Sequence, residues 1–210
     1  MIVGVVADTH VGEVIDVLPQ AVLDALDGSD LILHAGDLSD GSVIPVLEQI
    51  APVVAVRGDH DLPDAPRLPF RAVVHVGGRR IGLIHGKRRS TDALVVAAHA
   101  AAGRRIAWDA GRARAMARAF RDVDVVVFGH WHEALITTVG GVLVVNPGAV
   151  CPWGTLEGGR EPRPGSAGIA DRLVRRYRRQ LGEDAMRASV ARLDVTADGT
   201  TAEIIRIASP

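Results

Sequence analysis

The acids and histidines of this 210-residue chain recur at one kind of place, directly after short apolar runs. Asp8-Thr9-His10 follows the first run, Gly36-Asp37 the second and Gly58-Asp59-His60-Asp61 the third. His85-Gly86, Gly129-His130-Trp131-His132 and Asn146-Pro147-Gly148 follow three later ones. Asp-x-His and His-x-His set two side chains on the same side of an extended segment, so each pair can converge on one ion or line up along a metal pair. A carboxylate and imidazole set without thiolate suits Mn, Fe or Zn better than a soft metal. A carboxylate such as Asp37 can bridge two ions about 3.5–4 Å apart, the arrangement that polarises a phosphoryl group and makes hydroxide near neutral pH. Glycine beside the ligand types lets the backbone turn sharply and approach a ligand closely.

Strands must position these residues. Val/Ile-rich runs at 2–7, 31–35, 53–56, 72–76, 81–84, 123–128 and 142–145 are predicted strands. Several are apolar throughout, as in strands covered on both faces. Helical periodicity is predicted at 19–26, 42–50, 91–102 and 112–120, with Ser42 as a plausible N-cap. The alternation argues an α/β class, in which ligands gather outside the carboxyl ends of strands. Residues 151–168 are rich in Gly and Pro and read as a long loop, 170–181 as an amphipathic helix, and 186–195 with 201–207 as a closing hairpin. The expectation is one domain over 1–210, with a loop-helix insertion at about 151–183 before the C-terminal hairpin.

Hydrophobic residues make up 48% and the formal net charge is −1, so nothing global favours nucleic acid or an acidic membrane surface. No apolar run approaches the roughly 18–20 residues of a membrane span, and the first eight residues read as a strand and not a signal peptide. The lone Cys151 cannot form an internal disulfide, which fits a cytoplasmic protein. Of the 24 basic residues only Lys87 is a lysine, a bias that tempers readings of Arg-rich stretches.

The ordered set Asp8-x-His10, Gly36-Asp37, Gly58-Asp59-His60-Asp61, His85-Gly86 and Gly129-His130-x-His132 resembles the calcineurin-like metallophosphoesterase family. It is most similar to the small single-domain bacterial and archaeal branch, which also includes the eukaryotic retromer scaffold subunit. The likeness covers roughly residues 1–150 and resumes in the final hairpin. It implies a four-layer α/β/β/α sandwich of two β-sheets flanked by helices. It implies one metal ion on Asp8, His10, Asp37 and His132, and a second on Asp37, Asp59, His85 and His130. Mn is the expected metal, with Fe, Zn or Ni as alternatives. His60 would stand beside the phosphate as acid or transition-state stabiliser, and a hydroxide bridging the metals would attack phosphorus in line. Small phosphodiesters are the expected substrates, with monoesters also in range.

The sequence departs from the family pattern at Asp59, where active relatives carry Asn. Asn can both bind metal and donate to phosphate, whereas an ionised Asp only accepts. The scaffold subunit also has Asp there but lacks the histidine that follows; this chain keeps His60. An enzyme is therefore the leading reading, a metal-binding scaffold the second and a nuclease the third. Trp131 is a further departure, able either to stack a nucleobase or simply to pack. Lys87 and Arg57 could meet substrate phosphates; a solvated loop, or pairing of Arg57 with Asp61 or Asp64, is the alternative. His34, His75 and His99 read as structural histidines, and Cys151 as an inert thiol. The helix at 170–181 carries Arg172, Arg175, Arg176, Arg178 and Arg179, a solvated face or a homo-oligomer contact through Leu173, Tyr177 and Leu181 in preference to a polyanion site.

Overall fold

A computed structural model describes residues 1–61, 67–86, 98, 102, 108–151 and 187–207. Along the chain the elements are β1 (Ile2–Val6), α1 (Gln20–Leu26), β2 (Leu31–His34), α2 (Val43–Leu47), β3 (Val53–Ala55), β4 (Arg71–Val76), β5 (Arg79–Ile84), α3 (Trp108–Ala117), β6 (Val125–Phe128), β7 (Ala134–Val139), β8 (Val142–Pro147), β9 (Ser189–Val195) and β10 (Thr200–Arg206). They build two five-stranded sheets, ordered β10-β9-β1-β2-β3 and β4-β5-β6-β8-β7. In the first, β1, β2 and β3 run parallel, with Val3 opposite Leu31 and Ile32 opposite Val53. In the second, β5, β6 and β8 run parallel, with Ile81 opposite Val125 and Val126 opposite Val144. The outer strands β4, β7, β9 and β10 pair antiparallel.

Strand alternation sorts the side chains into three apolar layers. Val3, Val5, Leu33 and Ala35 of the first sheet meet Ile81, Leu83, Val125 and Val127 of the second between the sheets. Val6 and Ile32 face the other way, onto Val22 and Leu26 of α1 and Val43 and Leu47 of α2. Phe128 and Val144 face outward from the second sheet onto Ala113 and Met116 of α3. The result is two mixed sheets flanked by short helices, the α/β/β/α sandwich.

Three elements differ from the sequence expectation. Helix α2 ends at Leu47, short of residue 50, because Gln49 and Ile50 donate to carbonyls three residues back, Val46 and Leu47, and wind the chain into turns. Helix α3 begins at Trp108, four residues early, and ends at Ala117. Strand β7 lies outside the expected set; its short apolar start gives way to Thr137 and Thr138, and it mixes partly buried and exposed positions along an edge. The predicted helix at 91–102 and the insertion at 151–183 lie almost wholly outside the described residues.

Candidate metal centre

Because the central strands of both sheets are parallel, their carboxyl ends open onto one edge of the sandwich, and the loops that leave them are laced together by backbone hydrogen bonds. Asp8 N donates to Gly36 O at 3.0 Å and His10 N to Asp37 O at 3.1 Å, joining the loops after β1 and β2. Cys151 N donates to Asp8 O at 3.1 Å and Val150 N to Ala7 O at 3.2 Å, joining the loop after β8 to that after β1. Asn146, fully buried, donates from Nδ2 to Gly129 O at 3.0 Å and accepts from Gly148 N at 2.9 Å. Asp61 accepts from Gly58 N at 2.6 Å and Ser39 N at 2.9 Å, clamping the loop after β3 to that after β2.

This lacing holds the backbone where L-residues rarely go. Among the described residues, seven that are not glycine have positive φ, and five of them are Asp8 (52°), His10 (47°), Asp37 (56°), His130 (70°) and His132 (54°). The left-handed region costs a non-glycine residue energy and persists where the surroundings over-determine it. Here it turns successive side chains inward from the strand ends. Gly58 explains part of the close fit. A Cβ there would fall on the Asp37 carboxylate and backbone nitrogen.

Among the described residues, three groups of potential ligand atoms result, each with its atoms within 4.8 Å of one another: the Asp/His triads Asp8–His10–His132 and Asp37–His85–His130, and His10–Glu13–His60 at the rim. In the first, His132 Nε2 lies 3.5 Å from Asp8 Oδ1. In the second, His85 Nε2 lies 3.1 Å from Asp37 Oδ2 and 3.2 Å from His130 Nδ1. Asp37 Oδ2 is also 3.8 Å from His10 Nε2, so this carboxylate stands between the triads. Asp59 is more peripheral, its Oδ2 3.6 Å from His130 Nδ1 and its side chain 37% exposed.

The charges fit a cation. Burial pushes the Asp8 carboxyl well above the usual carboxylate range, against the pull of His85 and of the His130 N–H, which donates to it at 2.9 Å. Burial also opposes ionisation of Asp37, yet the His85 hydrogen bond and charge, the His60 N–H and His10 hold it below that range. His85 is disfavoured as a cation by burial, but Asp37 and Asp8 raise it to about 9. Its Nδ1 donates to Ala35 O at 2.8 Å, which leaves Nε2 as the ligand atom where a metal would displace a proton. Burial, helped by His10, pushes His132 down to about 3, and burial lowers His10 as well, both toward the neutral ring that a metal ligand requires. Among the described residues, His10 Nε2 is buried without a hydrogen-bond partner. An imidazole lone pair facing a carboxylate is repulsive unless a cation joins them, so the donor set fits a pair of divalent ions.

His60 sits at the rim with its side chain 52% exposed. Its N–H donates to Asp37 Oδ1 at 2.8 Å and its Nδ1 lies 3.0 Å from Glu13 Oε1. Glu13 is the residue that the sequence reading missed. Its Oε2 meets His10 Nδ1 at 3.2 Å and Ser39 Oγ at 2.8 Å. The available signal was an acid three residues beyond His10, no louder than Asp16 in the same loop. Burial would raise the Glu13 carboxyl, but hydrogen bonds from Ser39, His60 and His10 hold it below its ordinary range.

The remaining candidates separate cleanly. Trp131 is 6% exposed and packs with Phe128 and Ala113, its ring face covered by the Arg112 guanidinium 3.7 Å from the centroid. The Arg57 guanidinium stands over the Phe70 ring at 5.7 Å, while both Asp61 oxygens are occupied by backbone N–H groups. Lys87, Asp64 and His99 lie outside the described residues. His75 is exposed on β4. His34 is fully buried with both ring nitrogens engaged. Cys151 donates from Sγ to Thr9 O at 2.9 Å, and burial, with Asp8 and Glu13 nearby, pushes its thiol up to about 12.

Comparison with known proteins places this geometry in a family context. Residues 1–171 match the calcineurin-like phosphoesterase superfamily domain. A probable metallophosphoesterase of Methanothermobacter thermautotrophicus is 32% identical over 152 residues, 71% of this chain and 77% of that one. Wild-type Vps29 of Entamoeba histolytica, solved in complex with Zn2+, aligns with a TM-score of 0.61 at 23% identity, covering 99% of this chain and 100% of that chain. A structure described as a novel archaeal phosphodiesterase aligns with a TM-score of 0.56 at 18% identity, covering 98% of this chain and 100% of that chain.

Proposed function

The chain belongs to the calcineurin-like phosphoesterase superfamily, and on that premise we propose that it is a dinuclear metal-dependent phosphoesterase acting on small phosphodiesters, with monoesters as a secondary class. The observation that carries the reading is the pair of Asp/His triads sharing one edge of the sandwich. The proposed ligands are Asp8, His10, Asp37 and His132 for one ion, and Asp37, Asp59, His85 and His130 for the other. The mixed oxygen and nitrogen set favours Mn2+, with Fe, Zn or Ni as alternatives. When bound, such a pair supplies Lewis acidity toward a phosphoryl oxygen and acidifies coordinated water.

The protein's own residues supply orientation and proton transfer. Ala35 O fixes the His85 tautomer, and the His130 N–H holds the Asp8 carboxylate. The Asp37 carboxylate anchors the His60 backbone. The exposed His60 imidazole is placed to give a proton to the leaving oxygen. Identity with an archaeal relative supports the small bacterial and archaeal branch. A free, buried Cys151 is in keeping with a cytoplasmic setting. Among the described residues, no helix is long and apolar enough to cross a membrane.

A second reading, a metal-binding interaction module without turnover, is favoured by one observation. Asp59 can only accept hydrogen bonds, so it offers an anionic substrate no donor. The two are separated by assaying a chromogenic phosphodiester and the matching monoester with added Mn2+, with chelator, and with His60→Ala. The expected result is chelator-sensitive turnover that falls about 10²–10⁴-fold in His60→Ala while metal content is retained. No metal-dependent turnover of either ester sinks the enzyme and leaves the interaction module. Salt-sensitive binding of DNA or RNA would revive a nuclease.

A further inference from the structure

We infer that Glu13 is a positioning residue that fixes both the ligand ring His10 and the rim histidine His60, one with each carboxylate oxygen. The inference rests on the dinuclear reading for what the two rings do. The positioning itself stands on geometry. Glu13 leaves the loop after β1, with Oε2 3.2 Å from His10 Nδ1 and Oε1 3.0 Å from His60 Nδ1. An ionised carboxylate only accepts, so both rings must present Nδ1–H to it. That choice of tautomer leaves Nε2 of each ring as the working atom, a lone pair for a metal in His10 and, once the ring has taken up a second proton, the donor in His60. For His10 the consequence is visible, since Nε2 is buried with no hydrogen-bond partner among the described residues and faces Asp37 Oδ2 at 3.8 Å.

The rest of the neighbourhood supports the assignment. Ser39, itself at φ 63°, donates its hydroxyl to Glu13 Oε2 at 2.8 Å and so aims the carboxylate. The His10 and His60 rings meet edge to face, centroids 5.0 Å apart at 84°, which places one carboxylate within reach of both. Among the described residues, Glu13 makes the only hydrogen bond to the His60 ring, whose side chain is otherwise half in solvent. Asp40, the next acid after Asp37, does not compete, because its carboxylate accepts from Ser42 N at 2.7 Å. Glu13 thus couples the occupancy of the first metal position to the orientation of the proton donor, through a single side chain.

Three measurements on the full chain test this. Nitrogen-15 NMR of the histidines should show His10 and His60 as Nδ1–H tautomers in the wild type, with His60 reverting to a mixture in Glu13→Ala. Calorimetric titration with Mn2+ should show one of two ions bound about 10- to 100-fold more weakly in Glu13→Ala. At saturating Mn2+, kcat for diesters with poor leaving groups should fall by about tenfold or more and KM should stay nearly constant. Adding Glu13→Ala to His60→Ala should then cost little further kcat. Glu13→Gln, which keeps one acceptor oxygen, should rescue part of the metal affinity. Unchanged tautomers together with wild-type affinity for both ions would overturn the inference. If the wild type shows no turnover at all, the enzyme reading fails, and the tautomers and affinities still decide the role of Glu13.

Discussion

His34 offers a quantitative test of how the ligand loops are supported. It ends β2, fully buried beneath the loops that carry Asp8, His10 and Asp37. Its Nδ1 accepts from Gly36 N at 3.2 Å and its Nε2 faces Thr9 Oγ1 at 3.2 Å, a pattern that suits the neutral ring. Burial, with His85 adding to it, pushes His34 from its ordinary 6.5 down to about 3. The unfolded chain therefore takes up this proton first. Above pH 6.5 the group costs the folded state nothing. Stability is lost as pH falls from 6.5 toward 3, at about 1.4 kcal/mol per pH unit. Near pH 5 the loss is about 2 kcal/mol, a large share of a typical stability of about 5–15 kcal/mol. His34→Gln keeps a donor near Thr9 and cannot titrate, but gives up the acceptor for Gly36, costing about 1 kcal/mol at neutral pH. In urea unfolding with chelator present, the wild type should be the more stable at pH 7. The two curves should cross within about one pH unit below 6.5, and the variant should lead by about 1 kcal/mol near pH 5. A difference between the two proteins that stays constant from pH 7 to pH 4.5 would refute the reasoning.

Three further outcomes are expected. Asp59→Asn should keep or raise diesterase activity with metal content intact, because it removes a negative charge beside an anionic substrate; complete loss of metal in that variant would contradict the proposed role. Gly58→Ala should lower metal content by elemental analysis while circular dichroism stays native, since the added methyl meets the Asp37 carboxylate. Trp131→Ala should destabilise the protein by about 3–5 kcal/mol in denaturant titrations, the cost of emptying a packed site, and should leave KM for a small diester unchanged.

What could be read from the sequence followed from burial. The parallel strands are covered on both faces, so their Val/Ile runs stand out, and the first polar residue after each marks a strand end. That is why Asp8, Asp37, His85 and His130 could be placed before any coordinates. β7 escaped because an edge strand needs no continuous apolar run, and its apolar residues give way to Thr137 and Thr138 midway. Glu13 escaped for a different reason. Its position depends on a turn in which Glu13 N and Val14 N both fold back onto His10 O, and nothing in the letters Val-Gly-Glu-Val distinguishes that path from a solvated loop. Trp131 and Arg57 show the converse. Both stand within two residues of proposed ligands, yet the local backbone turns one into the packing under α3 and lays the other over Phe70.

The two sheets are not equivalent in how the chain makes them. The second is one uninterrupted stretch from β4 to β8, nested within the first, whose strands come from both sides of it. Each triad takes ligands from both, Asp8 and His10 with His132, and Asp37 with His85 and His130. An ion in either triad would therefore act as a rivet between host and insert, closing long chain loops much as a disulfide does, at the edge where the strands end. A metal pair held there would also be a mechanical element. Loading it should make the sandwich resist prising apart from its open edge, and stripping it should leave the apolar layer between the sheets to hold that edge alone.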